Sequence, residues 1–178
     1  MEKLVYKVGF TGTSKGASKD QLGELEAKLK KVLEEHPDYT VELHHGACIG
    51  ADTQAAIIAK RLGYRVVAHP GTPKDPTNMM YRSEWTGNDE VREAKPFIER
   101  DHDIVDETER MLATPLTRVE QTRSGTWTTV RYARKMDRQI DLILPPFVPP
   151  KYAAPPPRTN AIAGQQDSEP DHMKRGIR

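Results

Sequence analysis

His44-His45-Gly46-Ala47-Cys48-Ile49-Gly50-Ala51-Asp52 stands between the short run Val41-Glu42-Leu43 and the small-residue segment Thr53 to Leu62. Val41 to His44 has the length and branched content of a strand, and Gly46 and Gly50 free the backbone to turn. Ala55, Ile58, Ala59 and Leu62 then recur on one face of a helix, which Gly63 ends in the position favoured for a C-terminal glycine. A strand that runs through a glycine turn into a helix is the unit of a parallel sheet, because parallel neighbours need a crossover connection.

The same unit repeats on either side. Tyr6 to Phe10 reads as a strand, and Ser18 caps a helix whose apolar residues are Leu22, Leu25, Leu29, Val32 and Leu33. Tyr64 to Ala68 is a third strand, Phe97 to Glu107 a helix, Arg110 to Thr114 a fourth strand, Gly125 to Asp137 a helix and Gln139 to Leu144 a fifth strand. Val130, Ala133 and Met136 form the apolar face of the last helix. The predicted fold class is α/β and Rossmann-like, a mainly parallel sheet of about five strands with helices on both faces. Pro70 to about Lys95 reads as one long loop, of the kind that in compact domains covers a site or moves.

Composition bounds the rest. The chain has 178 residues, 27 Lys+Arg against 26 Asp+Glu, and 36% apolar residues. Counting Gly and omitting Tyr gives roughly 39–40% apolar, below the usual range of about 45–50%. Of 14 prolines, eight lie in the last 34 residues, where the apolar positions keep neither a strand nor a helix period. Residues 1–144 are therefore expected to fold and residues 145–178 to form a Pro-rich, flexible tail, with docking as an extended polyproline segment as the alternative. The single cysteine, Cys48, excludes an intrachain disulfide and suits a reducing, cytoplasmic setting. No apolar run is long enough to span a membrane, so no membrane partner is expected. Near-neutral bulk charge gives no reason to expect nonspecific attraction to nucleic acid.

Ligands of open α/β sheets sit beyond the carboxyl ends of the strands, which directs attention to three loops. Gly9-Phe10-Thr11-Gly12-Thr13-Ser14-Lys15-Gly16 offers close backbone approach and the hydroxyls of Thr13 and Ser14, at a spacing that is neither the dinucleotide nor the P-loop pattern. The second loop holds His45, Gly46, Gly50 and Asp52 ahead of a helix whose first turn suits a phosphate or a ribose network. Asp52 reads either as a helix-capping carboxylate or as a partner for sugar hydroxyls. The third, Arg123-Ser124-Gly125-Thr126-Trp127-Thr128-Thr129, again precedes a helix, and Trp127 either stacks on a base or packs.

In the order GFTGTSKG, HHGACIGADTQAA, RDHDIV, MLATP and RSGTWTTVRYA, residues 5 to 144 resemble the SLOG superfamily. That group comprises Rossmann-like nucleotide-binding proteins related to DprA/Smf and to the Lonely-guy phosphoribohydrolases. HGACIGAD is similar to its strand-to-helix turn and SGTWTT to its phosphate loop. Arg100 matches the arginine of its Arg-Asn-x-x-Ile-Val segment, although Asp101 stands where Asn is usual. The resemblance implies a nucleotide or nucleotide-like ligand across the three loops, no required cofactor, and a homodimer or higher oligomer. It also implies two alternatives, an N-glycosidic hydrolase of nucleoside 5′-monophosphates and a DprA-like binder of single-stranded DNA. The glutamate that assists glycosidic cleavage in Lonely-guy enzymes aligns with Thr129, which cannot act as a carboxylate acid or base, and no spacing selects Glu120, Asp52 or Glu84 as a substitute. Arg118, Arg123, Arg131, Arg134, Lys135 and Arg138 are compatible with a nucleic-acid track, but the aromatic interleaving of a stacking platform is sparse, so nucleic acid ranks below a small nucleotide.

His44, His45, Cys48 and His69 fall near the carboxyl ends of adjacent strands, yet their spacing fits no strong zinc pattern and no metal is expected. Instead His45 or His69 is expected to touch a ligand or pack. Asp101-His102-Asp103 reads as a solvated helix start. Tyr81, Arg82, Trp85 and Arg92 of the long loop are placed to fold over a bound nucleotide, against an unrelated surface insertion.

Overall fold

In a computed structural model the described residues are 3–72 and 85–148. The chain order is β1 (Val5–Gly12), α1 (Lys19–Glu35), β2 (Thr40–His45), α2 (Ala51–Leu62), β3 (Arg65–Ala68), β4 (Gly71–Thr72), β5 (Glu90–Val91), β6 (Lys95–Pro96), α3 (Phe97–Glu107), β7 (Arg110–Thr114), α4 (Gly125–Lys135) and β8 (Gln139–Leu142). Among the described residues six strands form one sheet in the order β5-β3-β2-β1-β7-β8, with every pairing in it parallel.

The sheet has one strand more than the five expected. The addition, β5, lies inside the segment read as a loop. Two residues carry no alternation to detect, and β5 is held from outside itself: Asp89 N donates to Val66 O at 2.8 Å, Val66 N to the Asp89 carboxylate at 2.8 Å, and Arg92 N to Ala68 O at 2.8 Å. In the same segment β4 pairs with β6 as a separate two-stranded sheet. Tyr81, Arg82 and Glu84 lie outside the described residues, as does the Pro-rich tail from residue 149.

Each helix follows from its local chemistry. Ser18 accepts from Gln21 N and Gln21 accepts in return from Ser18 N, a reciprocal capping box. The Gln21 amide also donates to Pro115 O and Ile143 O, both at 2.9 Å, which ties the start of α1 to the strand ends beside it. Gly63 ends α2 in the left-handed region, at φ 94°. The apolar face of α4 consists of Trp127, Val130 and Ala133; Met136 falls one residue past the helix and is exposed. Trp127 is buried against Ala113 and Val130, so it packs.

Helices α1 and α2 pack together on one face of the sheet, where Leu25, Leu29, Val32, Ala55, Ala59, Leu43 and Val66 share the main core. On the other face α3 packs with α4 over smaller clusters around Met111 and Ala113. From β1 the chain moves outward through β2 and β3, then returns to start again at β7 on the other side of β1. Loops from β1 and β7 diverge there, which opens a crevice at the carboxyl ends of both strands. Among the described residues no helix is long and apolar enough to cross a membrane.

Candidate functional site

A cavity of about 460 Å³ occupies that crevice. Ten of the twelve residues singled out from the sequence line it: Gly12, Thr13, Ser14, Gly46, Asp52, Arg100, Arg123, Ser124, Gly125 and Thr126. His45 and Gly50 do not. His45 is buried with Nε2 2.8 Å from Asn88 Oδ1, and burial pushes its pKa down to about 4. Gly50 acts through its backbone, with φ 81° and with the Ser14 carbonyl where a β-carbon would stand. Its turn delivers α2 against the first loop, where Ala51 N donates to Thr13 O at 3.0 Å.

That hydrogen bond corrects the reading of α2 as a phosphate-facing helix start. Its first N–H is committed to the protein, and Asp52, in the first turn, already brings a carboxylate to the positive end of the dipole. Asp52 is not the cap, since Gly50 holds that position. Its Oδ2 accepts from Cys48 N at 3.2 Å, so the side chain fixes the loop before the helix.

Arg100 is the centre of the site. It is 5% exposed and donates through Nη1 to Gly46 O and, at 3.1 Å, to His69 O. Nη2 lies 3.6 Å from Cys48 Sγ, and Nε is paired with Asp101 at 2.9 Å, although its N–H is not aimed at that oxygen. The guanidinium also lies over the Phe97 ring, 5.4 Å from the centroid. A β-carbon on Gly46 would collide with this guanidinium and with Asp52, so only glycine lets the three groups meet.

Burial dominates the electrostatics. It pushes Asp52 and Asp101 up to about 6, with the charge of Arg100 acting against it in both cases. The Cys48 thiol is pushed up to about 11, chiefly by burial and then by Asp52, so it is not an activated nucleophile. Burial works against the charge of Arg100, but Asp101, Cys48 and Asp52 together outweigh it and hold the guanidinium cationic. Asp101 is therefore no solvated helix start. It lines the cavity from the first turns of α3, beside Arg100, with the Thr129 hydroxyl in hydrogen-bonding reach.

The opposite wall is the start of α4. Ser124 caps it, accepting from Trp127 N at 3.4 Å, and Gly125 is its first residue. Around the missing side chain of Gly125 there is open space, so the first-turn N–H groups are approachable. Lys15 and Arg123 add cationic side chains, and Phe10, Phe97, Ile104 and Leu116 supply apolar lining. Of the carboxylates considered as substitutes for the glutamate at Thr129, Asp52 lines the cavity, whereas Glu120 is tied to Arg131 and Arg134. Thr129 itself is buried and donates to Gly125 O at 3.1 Å.

Neither Trp85 nor Arg92 lines the cavity. Trp85 packs at the edge of the main core near His45, and Arg92 pairs with Glu90 and Glu107. The basic stretch is also largely spoken for: Arg131 and Arg134 pair with Glu120, Arg138 donates to Val105 O and Asp106 O, and Arg118 to Pro145 O.

No protein-family model matches the chain, and no curated protein matches it. Solved structures do. The crystal structure of DprA from Streptococcus pneumoniae superposes with a TM-score of 0.54 at 19% identity, over 82% of this chain and 52% of DprA. The crystal structure of TM1055, a structural genomics target, superposes at 0.50 and 16% identity, over 76% of this chain and 72% of that one. The fold is Rossmann-like and is shared with these two structures. The Moco carrier protein from Chlamydomonas reinhardtii also matches, at 0.48 and 19% identity over 82% of this chain and 79% of that one. The chain spans about half the length of DprA. Within this fold the cavity lies where β1 and β7 diverge, and its walls are the three glycine-bearing loops and one face of α3.

Proposed function

We propose that the cavity binds a nucleotide or a nucleotide-derived small molecule, with phosphate at the start of α4 and the sugar toward Asp52 and Arg100. One observation carries the reading: the open first turn at Ser124-Gly125-Thr126 faces the same cavity as the Gly12-Thr13-Ser14-Lys15 loop. Unpaired N–H groups at a dipole's positive end, flanked by hydroxyls and by Lys15 and Arg123, suit an anion. The apolar lining from Phe10, Phe97, Ile104 and Leu116 suits the planar base such an anion carries. The test is to denature the freshly purified full chain and identify any released molecule by mass spectrometry. A nucleotide-derived compound at near one equivalent supports the proposal, and a co-purifying ligand that lacks phosphate contradicts it.

A second reading, hydrolysis of the N-glycosidic bond of a nucleoside 5′-monophosphate, is favoured by Asp52 and Asp101. Asp52 is buried and Asp101 half-buried beside the cavity, both with pKa values raised to about 6, the range in which a carboxyl group can exchange a proton at neutral pH. Release of free base from a panel of nucleoside 5′-monophosphates, lost in Asp101→Asn, identifies an enzyme; intact nucleotides after prolonged incubation leave a binding protein. The pairing of the arginines with Glu120 and with carbonyl groups disfavours a nucleic-acid track, so retention of single-stranded oligonucleotides is expected to be weak, with a shallow dependence on salt.

A further inference from the structure

On the face of the sheet covered by α3, three adjacent elements bring two imidazoles and a carboxylate together away from the cavity. His44 of β2 and His69, which follows β3, are buried, and Glu107 is the last residue of α3. His44 Nδ1 lies 2.9 Å from His69 Nε2 and 3.7 Å from Glu107 Oε2, and one ligating atom from each of the three lies within 4.8 Å of the others. We propose that His44, His69 and Glu107 bind a divalent transition cation of the zinc class.

Three features support the site beyond proximity. The first is scale. Ligand atoms about 2.0–2.1 Å from a tetrahedral zinc stand about 3.3 Å apart; two of the three spacings, 2.9 and 3.7 Å, bracket that value and the third lies within 4.8 Å, so side-chain adjustment without backbone movement is what binding requires. The second is orientation. His44 Nε2 lies 3.0 Å from Glu42 Oε2 and donates to it, which leaves the Nδ1 lone pair directed at the site, and Glu42 is itself held by Arg65. A carboxylate behind a histidine, fixing its tautomer and raising its basicity, is the usual outer shell of a metal-bound imidazole. The third is access. Glu107 is about one-third exposed, so the site opens to solvent on one side and leaves a fourth position for water.

Without a cation, the pair is closed by His69 Nε2–H donating to His44 Nδ1. Binding moves the His69 proton to Nδ1 and puts the cation where the shared proton was. Glu107 must also exchange its 3.1 Å pairing with Arg92 for the metal, and Arg92 retains Glu90 at 3.0 Å. His45 and Cys48 take no part. His45 is turned to Asn88, and Cys48 faces Arg100. The site is independent of the nucleotide reading, since none of its three ligands lines the cavity.

The test uses the full, tag-free chain, stripped with chelator and titrated with Co²⁺. One equivalent should bind in the low-micromolar range or tighter, with the visible absorption of a low-coordinate site, and Zn²⁺ should displace it. Glu107→Gln, on the exposed rim, should weaken Co²⁺ binding about tenfold or more. His69→Gln should abolish it, and His102→Gln should leave it unchanged. If His69→Gln fails to fold by circular dichroism, Glu107→Gln decides. Three results would overturn the proposal: no saturable Co²⁺ binding, equal binding by Glu107→Gln and the parent, or a sulfur-to-metal charge-transfer band that assigns the cation to Cys48.

Discussion

The two faces of the sheet are built from different chemistry. Under α1 and α2 the contacts are mainly apolar, with Leu25, Leu29, Val32, Leu43 and Val66 all completely buried. Under α3 lies a polar assembly: Glu42, His44, His69 and Arg100 are each at most 5% exposed and bonded to one another or to loop carbonyls. The α1/α2 face supplies non-directional burial, which tolerates any pH. The α3 face spends part of its area on polar and charged groups that must be paired, and one of them, Arg100, lines the cavity. Stability and function are thus divided between the faces, and the division can be tested.

The largest effect is expected at Arg100. Arg100→Met leaves the buried Asp52 and the half-buried Asp101 without their cation and should cost about 3–5 kcal/mol at pH 8. The loss should shrink below about pH 6, where both carboxyl groups take up protons. Urea unfolding at pH 8 and pH 5 measures both quantities, and an equal loss at the two values would break the assignment of Arg100 as counter-charge. On the other face, Leu29→Ala should cost about 2–5 kcal/mol, as buried leucine truncations do. That cost should be the same at both pH values, because Leu29 packs in an apolar cluster whose one buried phenol, Tyr64, is held above its ordinary value by burial.

A smaller, more pointed effect is expected for Asp101→Asn. With Asp101 at about 6 in the folded chain, above the ordinary unfolded value of about 3.9, the native state binds the extra proton between those values. Stability therefore falls as pH rises from about 4 to 6, and the full cost is present above about 6. Asn removes this dependence, so the variant's stability profile should be flatter across that window by about 1–3 kcal/mol. An unchanged slope would show that Asp101 is solvated, as its position in the sequence first indicated.

That residue illustrates where the sequence is legible and where it is not. The strands β1, β2 and β7 and the helix boundaries at Ser18 and Gly63 can be read directly, because capping chemistry and apolar period are local. The cavity loops are legible for the same reason, since glycine at Gly46 and Gly50 marks where the backbone must approach something closely. Asp101 was obscured by its flanking charges. The signal that finds it is the spacing of Phe97, Arg100, Asp101 and Ile104, which puts all four on one helical face, and all four line the cavity. The histidines show the opposite error. His44 and His45 are neighbours in sequence and invite pooling, but a strand turns successive side chains to opposite faces. His44 thus joins His69 under α3, while His45 turns to Asn88. β5 was not legible, because its two residues are placed by Asp89 and Arg92 reaching β3 rather than by any pattern of their own.

Gly125→Asp tests the central claim, that the cavity between β1 and β7 holds a nucleotide-type anion, most directly. The new side chain would enter open space at the first position of α4, where an acidic residue is compatible with the dipole. Its effect on stability should stay within about 0.5 kcal/mol. The measurement is isothermal titration of the parent and the variant with a panel of nucleoside 5′-monophosphates. The parent is expected to bind at least one of them, and the equally stable variant to lose that binding. Equal affinity in the two proteins, or no binding of any member of the panel by the parent, would contradict the claim.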